Sequence, residues 1–148
     1  MFWFDRKDDR AVFVDKRCER HQLKDKSSTG GSRELVIDPD YVADFTELPF
    51  DDNSFSLVVF DPPHFERNGE KSWVGLKYGT LPPDWPDMLR AGFAECFRVL
   101  RPDGVLVFKW CVAEIPLSRI LALTSEKPLF GHRSGKQQKT HWLCFMKA

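Results

Sequence analysis

The segment VVFDPPHF, residues 58–65, joins an apolar run to an acid, two prolines and a histidine. A continuous apolar run of this kind is typical of a strand that is covered on both faces. The prolines cannot donate hydrogen bonds to a neighbouring strand, so we expect the strand to end there. Asp61–His64 should then lie at the carboxyl edge of a parallel sheet, where open α/β folds bind ligands.

Length and composition narrow the class of protein. We expect 148 residues to form one domain, residues 1–148, with a hydrophobic core. The formal net charge is zero, which neither requires nor excludes a polyanionic partner. No apolar stretch is long enough for a membrane span, and the charged opening does not resemble a signal peptide. The cysteines are widely spaced, and Cys18 and His21 lack a second ligand pair, so we expect a cytoplasmic protein with reduced thiols and no metal.

Strand-like runs alternate with helical segments along the chain. Apolar residues at helical spacing predict a helix between Asp84, a suitable N-cap, and Pro102, and a second helix is predicted over residues 116–125. A strand, a helix and a strand in succession predict a right-handed parallel crossover. The segment 65–83 has no steady period and is predicted to be a long loop. The predicted strands are AVFVD (11–15), SLVVFD (56–61), GVLVFKW (104–110) and HWLCFM (141–146), with shorter ones in ELVI (34–37) and YVADF (41–45).

These elements predict an α/β fold. Its sheet should be mostly parallel, and an antiparallel hairpin should form one edge, because the segment from residue 127 onwards is predicted as two strands joined by a Ser-Gly-Lys turn. The order of the landmarks resembles the class I S-adenosylmethionine-dependent methyltransferases, and LPFDDNSFSLVV (48–59) followed by FRVLRPDGVLV (97–107) is close to sequences of that superfamily. The resemblance covers nearly the whole chain. It implies a Rossmann-like sheet and S-adenosylmethionine as the cofactor.

The resemblance also implies roles for three residues that follow early strands. Asp15 would bind the ribose hydroxyls of the cofactor, and Asp44 would accept a hydrogen bond from the adenine amine, with Phe45 packing on the adenine ring. A carboxylate suits the first role because it can accept hydrogen bonds from two neighbouring hydroxyls. By position alone, Asp15 and Asp44 are equally well explained as strand-ending acids that bind nothing.

The Asp-Pro-Pro-His turn resembles the Asp/Asn-Pro-Pro-aromatic signature of methyltransferases that modify exocyclic amines of nucleobases and, in some relatives, glutamine amides. Such an amine is a poor nucleophile because its lone pair is delocalised. Asp61 and the carbonyl of Pro62 would each accept one N–H and aim the lone pair at the methyl group, and Pro63 would stiffen the turn. His64 stands where the family has an aromatic residue that stacks on a flipped base. The alternative is a tight proline turn with a surface histidine.

Several side chains near the turn are candidates for substrate contacts. Basic residues interleaved with aromatic ones suit phosphate contacts and base stacking, although a solvated mobile loop has the same composition. A basic cluster in residues 16–26 is a second candidate nucleic-acid surface, or simply a solvated face. The candidates near the turn are Phe65, Arg67, Lys71, Trp73, Lys77, Tyr78 and, at the end of its strand, Lys109; the basic cluster contains Lys16, Arg17, Arg20, Lys24 and Lys26.

One element of the family has no counterpart in this sequence. The first strand and the glycine-rich loop that holds the methionine part of the cofactor should precede Asp15 by about twenty residues. Only fourteen residues stand there, and none is glycine. Loss of this strand would leave two inner strand edges unpaired. A truncated enzyme and a degenerate domain would both explain it, and we expect weak cofactor binding or none.

The predicted function is therefore methyl transfer to an exocyclic amine of a nucleobase in DNA or RNA. One alternative is a truncated or degenerate methyltransferase-like domain that acts as a binding module and associates with itself through unpaired strand edges. The other alternative is a small-molecule methyltransferase, which would share the fold.

Overall fold

The computed structural model describes residues 3–25, 28–69 and 72–148, and its contacts divide the chain into two compact units, Met1–Phe45 and Thr46–Ala148. The prediction of a single domain over residues 1–148 stays a prediction. The first unit contains β1 (Val14–Asp15), β2 (Glu19–Lys24), β3 (Ser32–Ile37) and β4 (Tyr41–Val42). The second unit contains β5 (Phe55–Phe60), α1 (Trp73–Tyr78), α2 (Trp85–Val99), β6 (Leu100–Cys111), α3 (Leu117–Leu121), β7 (Phe130–Ser134) and β8 (Thr140–Met146).

Two small sheets organise the first unit. β1 pairs in parallel with β4, and β2 pairs antiparallel with β3. Asp40 supports the first pair, since its carboxylate accepts the N–H of Phe13 at 2.8 Å while its own N–H donates to the Phe13 carbonyl at 2.9 Å. The strand predicted over residues 11–15 is thus only two residues long. β2 was not predicted, because its alternation of exposed and half-buried residues is hidden in a run of charges.

A four-stranded mixed sheet, in the order β5-β6-β8-β7, forms the second unit. β5 and β6 run parallel, whereas β8 is antiparallel to both β6 and β7. The prediction of a mostly parallel sheet is therefore wrong for this sheet, because the C-terminal hairpin provides two of its three strand pairings. The predicted hairpin and the parallel β5-α2-β6 crossover are both present. Among the described residues, no strand pairs with the outer edge of β5.

Helix α2 covers one face of this sheet. Its apolar positions Leu89, Phe93 and Cys96 are buried, and the ring of Phe93 lies 4.9 Å from that of Phe108 in β6. This packing explains why the helical period was visible in the sequence. Asp84 occupies the predicted N-cap position, but its side chain makes no capping hydrogen bond.

The segment before β5 is tied to α2 through Arg98. Its guanidinium group donates to the carbonyls of Leu48 at 3.0 Å and Phe50 at 2.8 Å, and it pairs with Glu95 at 2.7 Å. Glu95 also accepts the N–H of Leu48 at 2.8 Å. These contacts join the two sequence motifs 48–59 and 97–107 and fix the point at which β5 begins.

Two helices differ from the sequence predictions. Residues 65–83 were predicted to be a long loop, but they contain α1, which Ser72 caps by accepting the N–H of Gly75 at 3.0 Å. A helix of six residues is too short for an apolar period to be recognised. α3 is also shorter than the predicted 116–125. Within the described ranges, no helix has the length and apolar character needed to cross a membrane.

Candidate functional site

The Asp-Pro-Pro-His turn follows β5 directly, at the carboxyl end of that strand. Because β5 and β6 are parallel, with Phe60 opposite Phe108, the residues that follow these two come side by side. Nζ of Lys109 donates to Oδ2 of Asp61 at 2.8 Å. The two side chains are 18% and 24% exposed, respectively, so the pair is largely shielded while part of the carboxylate remains accessible. The structure thus places Lys109 beside Asp61, as the sequence predicted.

Two aromatic rings flank the ammonium group of Lys109. Its Nζ lies 5.9 Å from the ring centroid of Tyr78 and 5.7 Å from that of Trp142. Aromatic faces attract cations at such distances. Lys109 is therefore held by a carboxylate and two rings that come from three different parts of the second unit. Trp142 was not among the predicted site residues, because its position in β8 carries no local sign of a site.

His64 is buried, with 7% exposure. Its ring centroid lies 4.4 Å from that of Phe65, 6.2 Å from that of Tyr78 and 6.1 Å from that of Trp110. The alternative of a proline turn with a surface histidine is therefore wrong. The stacking of His64 on a flipped base stays a prediction, and in this structure the ring packs on protein aromatics.

The protonation state of His64 follows from the same burial. Desolvation lowers the pKa of His64, although the nearby Asp61 carboxylate and the Pro62 carbonyl favour the protonated ring. Lys109 lowers the pKa further, and Glu114 raises it. Nδ1 of His64 lies 3.4 Å from the carbonyl oxygen of Pro62. In the neutral tautomer with hydrogen on Nδ1, the ring can donate to that carbonyl and help to fix its direction.

The backbone after the turn is fixed by Glu114, which lies between β6 and α3. Its Oε2 accepts the N–H of Glu66 at 2.6 Å and that of Arg67 at 3.3 Å. Glu66 in turn accepts the indole N–H of Trp85 at 3.0 Å. Glu114 was missed in the sequence because it lies more than forty residues from the turn and no motif surrounds it.

A second contact to the turn comes from the end of α1. Gly79 has φ = 77°, and a Cβ atom there would lie 3.2 Å from Cγ of Pro63. Glycine is favoured at position 79 because it adopts a positive φ without strain and because it has no Cβ atom to crowd Pro63. Two residues further on, the N–H of Leu81 donates to the carbonyl of Phe65 at 2.8 Å. The turn is thus held on both sides by contacts within the second unit.

The predicted substrate residues Trp73 and Lys77 lie on α1, four positions apart and so on one side of the helix. Nζ of Lys77 lies 5.8 Å from the ring centroid of Trp73 and 5.0 Å from that of Tyr78. Arg67 lies in the loop that Glu114 holds, and Lys71 falls outside the described residues. α1 therefore brings basic and aromatic candidates together next to the turn.

The predicted cofactor residues belong to the first unit. Asp15 ends β1 and Asp44 follows β4, so both acids stand at the carboxyl ends of paired parallel strands, with Phe45 next in the chain. The Asp15 carboxylate already accepts the N–H of Arg17 at 2.9 Å and two guanidinium contacts at 3.0 Å. Carboxylate oxygens have further lone pairs, so Asp15 can accept hydrogen bonds beyond those from Arg17. The cofactor roles of Asp15, Asp44 and Phe45 stay predictions. Residues 3–13 contain neither a strand nor a glycine.

The basic cluster of the first unit lies largely on and around β2. Arg17 pairs with Asp15, and Arg20 lies 3.8 Å from Glu34 across the hairpin. Lys26 falls outside the described residues. These pairings favour a solvated face over a nucleic-acid surface. Within residues 3–25, 28–69 and 72–148, no three histidine, cysteine, aspartate or glutamate side chains are grouped as a metal site would need.

Comparison with known proteins gives weak likenesses. No family model and no curated protein sequence matches the chain. Among solved structures, the PH0226 protein from Pyrococcus horikoshii OT3 is 14% identical with a TM-score of 0.49. The match covers 72% of this chain and 57% of the PH0226 chain. SMU.776, provisionally described as a methyltransferase and complexed with SAH, is 13% identical with a TM-score of 0.41. That match covers 63% of this chain and 26% of the SMU.776 chain. The chain thus spans little more than half of the first and about a quarter of the second.

Proposed function

We propose that this chain is an S-adenosylmethionine-dependent methyltransferase that methylates an exocyclic amino group of a nucleobase in DNA or RNA. The observation that carries the proposal is the Asp-Pro-Pro-His turn at the carboxyl end of β5, which is followed directly by backbone that Glu114 holds. Preorganised acceptors are what a weakly nucleophilic amine needs. The turn presents two acceptors in consecutive residues, the carboxylate of Asp61 and the carbonyl of Pro62.

In this proposal the protein acts by position rather than by removing a proton in advance. Asp61 accepts one N–H of the substrate and the Pro62 carbonyl accepts the other, which draws the nitrogen towards tetrahedral geometry and directs its lone pair away from both acceptors. Pro62 is buried, so a base would have to be inserted into the turn, as an extruded base is. When bound, S-adenosylmethionine would supply the electrophilic methyl group and leave as S-adenosylhomocysteine, and the methylated nitrogen would then lose one proton to solvent.

The cofactor role is proposed for the acids of the first unit. Asp15 would accept hydrogen bonds from the ribose hydroxyls and Asp44 from the adenine amine, with Phe45 against the adenine ring. Their support is the position of both acids at the carboxyl ends of β1 and β4, which are hydrogen-bonded neighbours. The nucleic-acid role is proposed for Phe65, Trp73, Lys77 and Lys109, where aromatic and basic groups lie around the turn.

A methyl-transfer assay tests the proposal. The chain is incubated with radiolabelled S-adenosylmethionine and separate pools of DNA, RNA, protein and small molecules. We expect label in a nucleic-acid pool, and a loss of about a hundredfold or more in Asp61→Ala, the scale seen when one preorganised electrostatic partner is removed. The matched control is Asp87→Ala, since that side chain is 82% exposed on α2. Equal labelling by Asp61→Ala, or label only in the protein or small-molecule pool, would contradict the proposal.

The outer edge of β5 favours one second candidate, a binding module. β5 is an apolar strand, yet no strand of the described ranges pairs with its outer edge. Unprotected edges of this kind promote strand pairing between chains. Sedimentation velocity over a range of concentrations, together with titration calorimetry for S-adenosylmethionine, separates the two candidates. A concentration-dependent oligomer without cofactor binding would support the module, and a monomer that binds the cofactor would exclude it.

A further inference from the structure

The ion pair between Asp61 and Lys109 places a positive charge at the point where the proposed substrate amine would dock. We propose that Lys109 determines specificity by admitting a neutral amino group, such as that of a nucleobase or an amide, and rejecting an alkylammonium group. This inference rests on the proposed function and names the property of the substrate that the same site selects.

The two carboxylate oxygens of Asp61 have different hydrogen-bonding partners. Oδ2 accepts the ammonium group of Lys109 at 2.8 Å, whereas Oδ1 accepts no hydrogen bond from any residue of the described ranges. A neutral N–H can use Oδ1 without disturbing the pair. A substrate cation at Oδ1 would share one carboxylate with Nζ of Lys109, and two like charges bound to the same carboxylate in a shielded site repel each other.

Lys109 cannot easily move away to relieve that repulsion. Its side chain is 18% exposed and projects from β6, a strand that is paired on both sides. The rings of Tyr78 and Trp142 also lie within 6 Å of its Nζ. The positive charge is therefore a fixed part of the site.

The carboxylate of Glu114 does not offset this charge at Oδ1. Oε2 of Glu114 is engaged by the backbone N–H groups of Glu66 and Arg67. Asp61 without Lys109 would be an unneutralised carboxylate at an accessible edge and would attract an alkylammonium group. The identity of residue 109 should thus set the charge preference of the site.

A matched pair of oligonucleotides tests whether Lys109 sets the charge preference of the site. The first is a single-stranded oligonucleotide with adenine or cytosine, whichever base the methyl-transfer assay labels, and the second carries an aminomethyl group in place of the amino group of that base, which is protonated at neutral pH. We measure the dissociation constants of both oligonucleotides for the wild type, Lys109→Met, Lys109→Gln and Lys109→Arg, because an alkylammonium nitrogen has no lone pair and cannot accept a methyl group. Methionine and glutamine remove the charge with different polarity, and arginine keeps it. Thermal unfolding identifies any variant that has lost its fold.

We expect the wild type and Lys109→Arg to bind the natural base more tightly, and the folded neutral variants to shift the ratio of the two dissociation constants towards the aminomethyl oligonucleotide at least tenfold. An unchanged ratio in the neutral variants would overturn the inference while leaving the proposed function standing, and so would an arginine variant that behaves like them. A wild type that methylates neither oligonucleotide, nor anything in the nucleic-acid pools, would remove the proposed function and this inference with it.

Discussion

Removal of the Glu114 carboxylate should loosen the backbone that follows the Asp-Pro-Pro-His turn. In Glu114→Ala, the N–H groups of Glu66 and Arg67 lose the acceptor that holds them at 2.6 and 3.3 Å. A hydrogen bond to a charged group contributes about 1.5–3 kcal/mol when shielded, and less where water replaces it. Both residues are exposed, so we expect a local loss of about 1–3 kcal/mol.

Hydrogen exchange measures this loss residue by residue. Each 1.4 kcal/mol of local stability corresponds to about a tenfold change in exchange. The amides of Glu66 and Arg67 should therefore exchange roughly 5 to 150 times faster in Glu114→Ala. Glu114→Gln keeps a neutral acceptor and should lie between the wild type and the alanine variant. Because the change is local, the free energy of global unfolding should fall by less than about 1 kcal/mol.

The control is Glu126→Ala, which removes an exposed glutamate of the same unit whose carboxylate has no partner within the described ranges. It should leave both amides at their wild-type exchange rates. If Glu114→Ala also leaves them unchanged, then Glu114 does not position the loop. In the methyl-transfer assay, Glu114→Ala should lower kcat more than it raises KM, because the acceptors of the turn lose their alignment rather than their chemistry.

Three further predictions concern the fold and its titrating groups. Arg98→Met should lower the urea concentration at the midpoint of unfolding, because two backbone carbonyls lose their donor. Arg90→Met on the solvent face should leave that midpoint close to the wild-type value. Burial places the pKa of His64 below its ordinary 6.5, so the unfolded chain binds a proton on this ring more readily than the folded chain does, and the free energy of unfolding falls as pH drops below 6.5. In His64→Phe the free energy of unfolding should fall less steeply with decreasing pH, and an equally steep fall would refute a lowered pKa for His64. Burial raises the pKa of Cys96 to about 12, so mass spectrometry after brief thiol alkylation should find label on exposed Cys18 and not on Cys96; equal labelling of the native protein would contradict this.

The elements that carry a strong local pattern could be predicted from the sequence. The apolar run before Asp61 predicted β5, and the helical spacing of Leu89 and Phe93 predicted α2. In α2 the buried face repeats often enough to be visible, whereas β5 was visible only as a continuous apolar run, since Phe60 is its one buried residue. α1 has six residues and β2 is mostly charged or polar, so neither repeats an apolar position often enough to be recognised.

The sequence by itself determined the turn, because an acid and two prolines at the end of an apolar run dictate where a strand stops and which groups stand there. Only the tertiary structure decided what surrounds it. The burial of His64 depends on Tyr78 and Trp110, and the hold on the loop depends on Glu114. These partners lie 14 to 50 residues away, and their proximity arises from strand pairing and helix packing, which a local pattern does not specify.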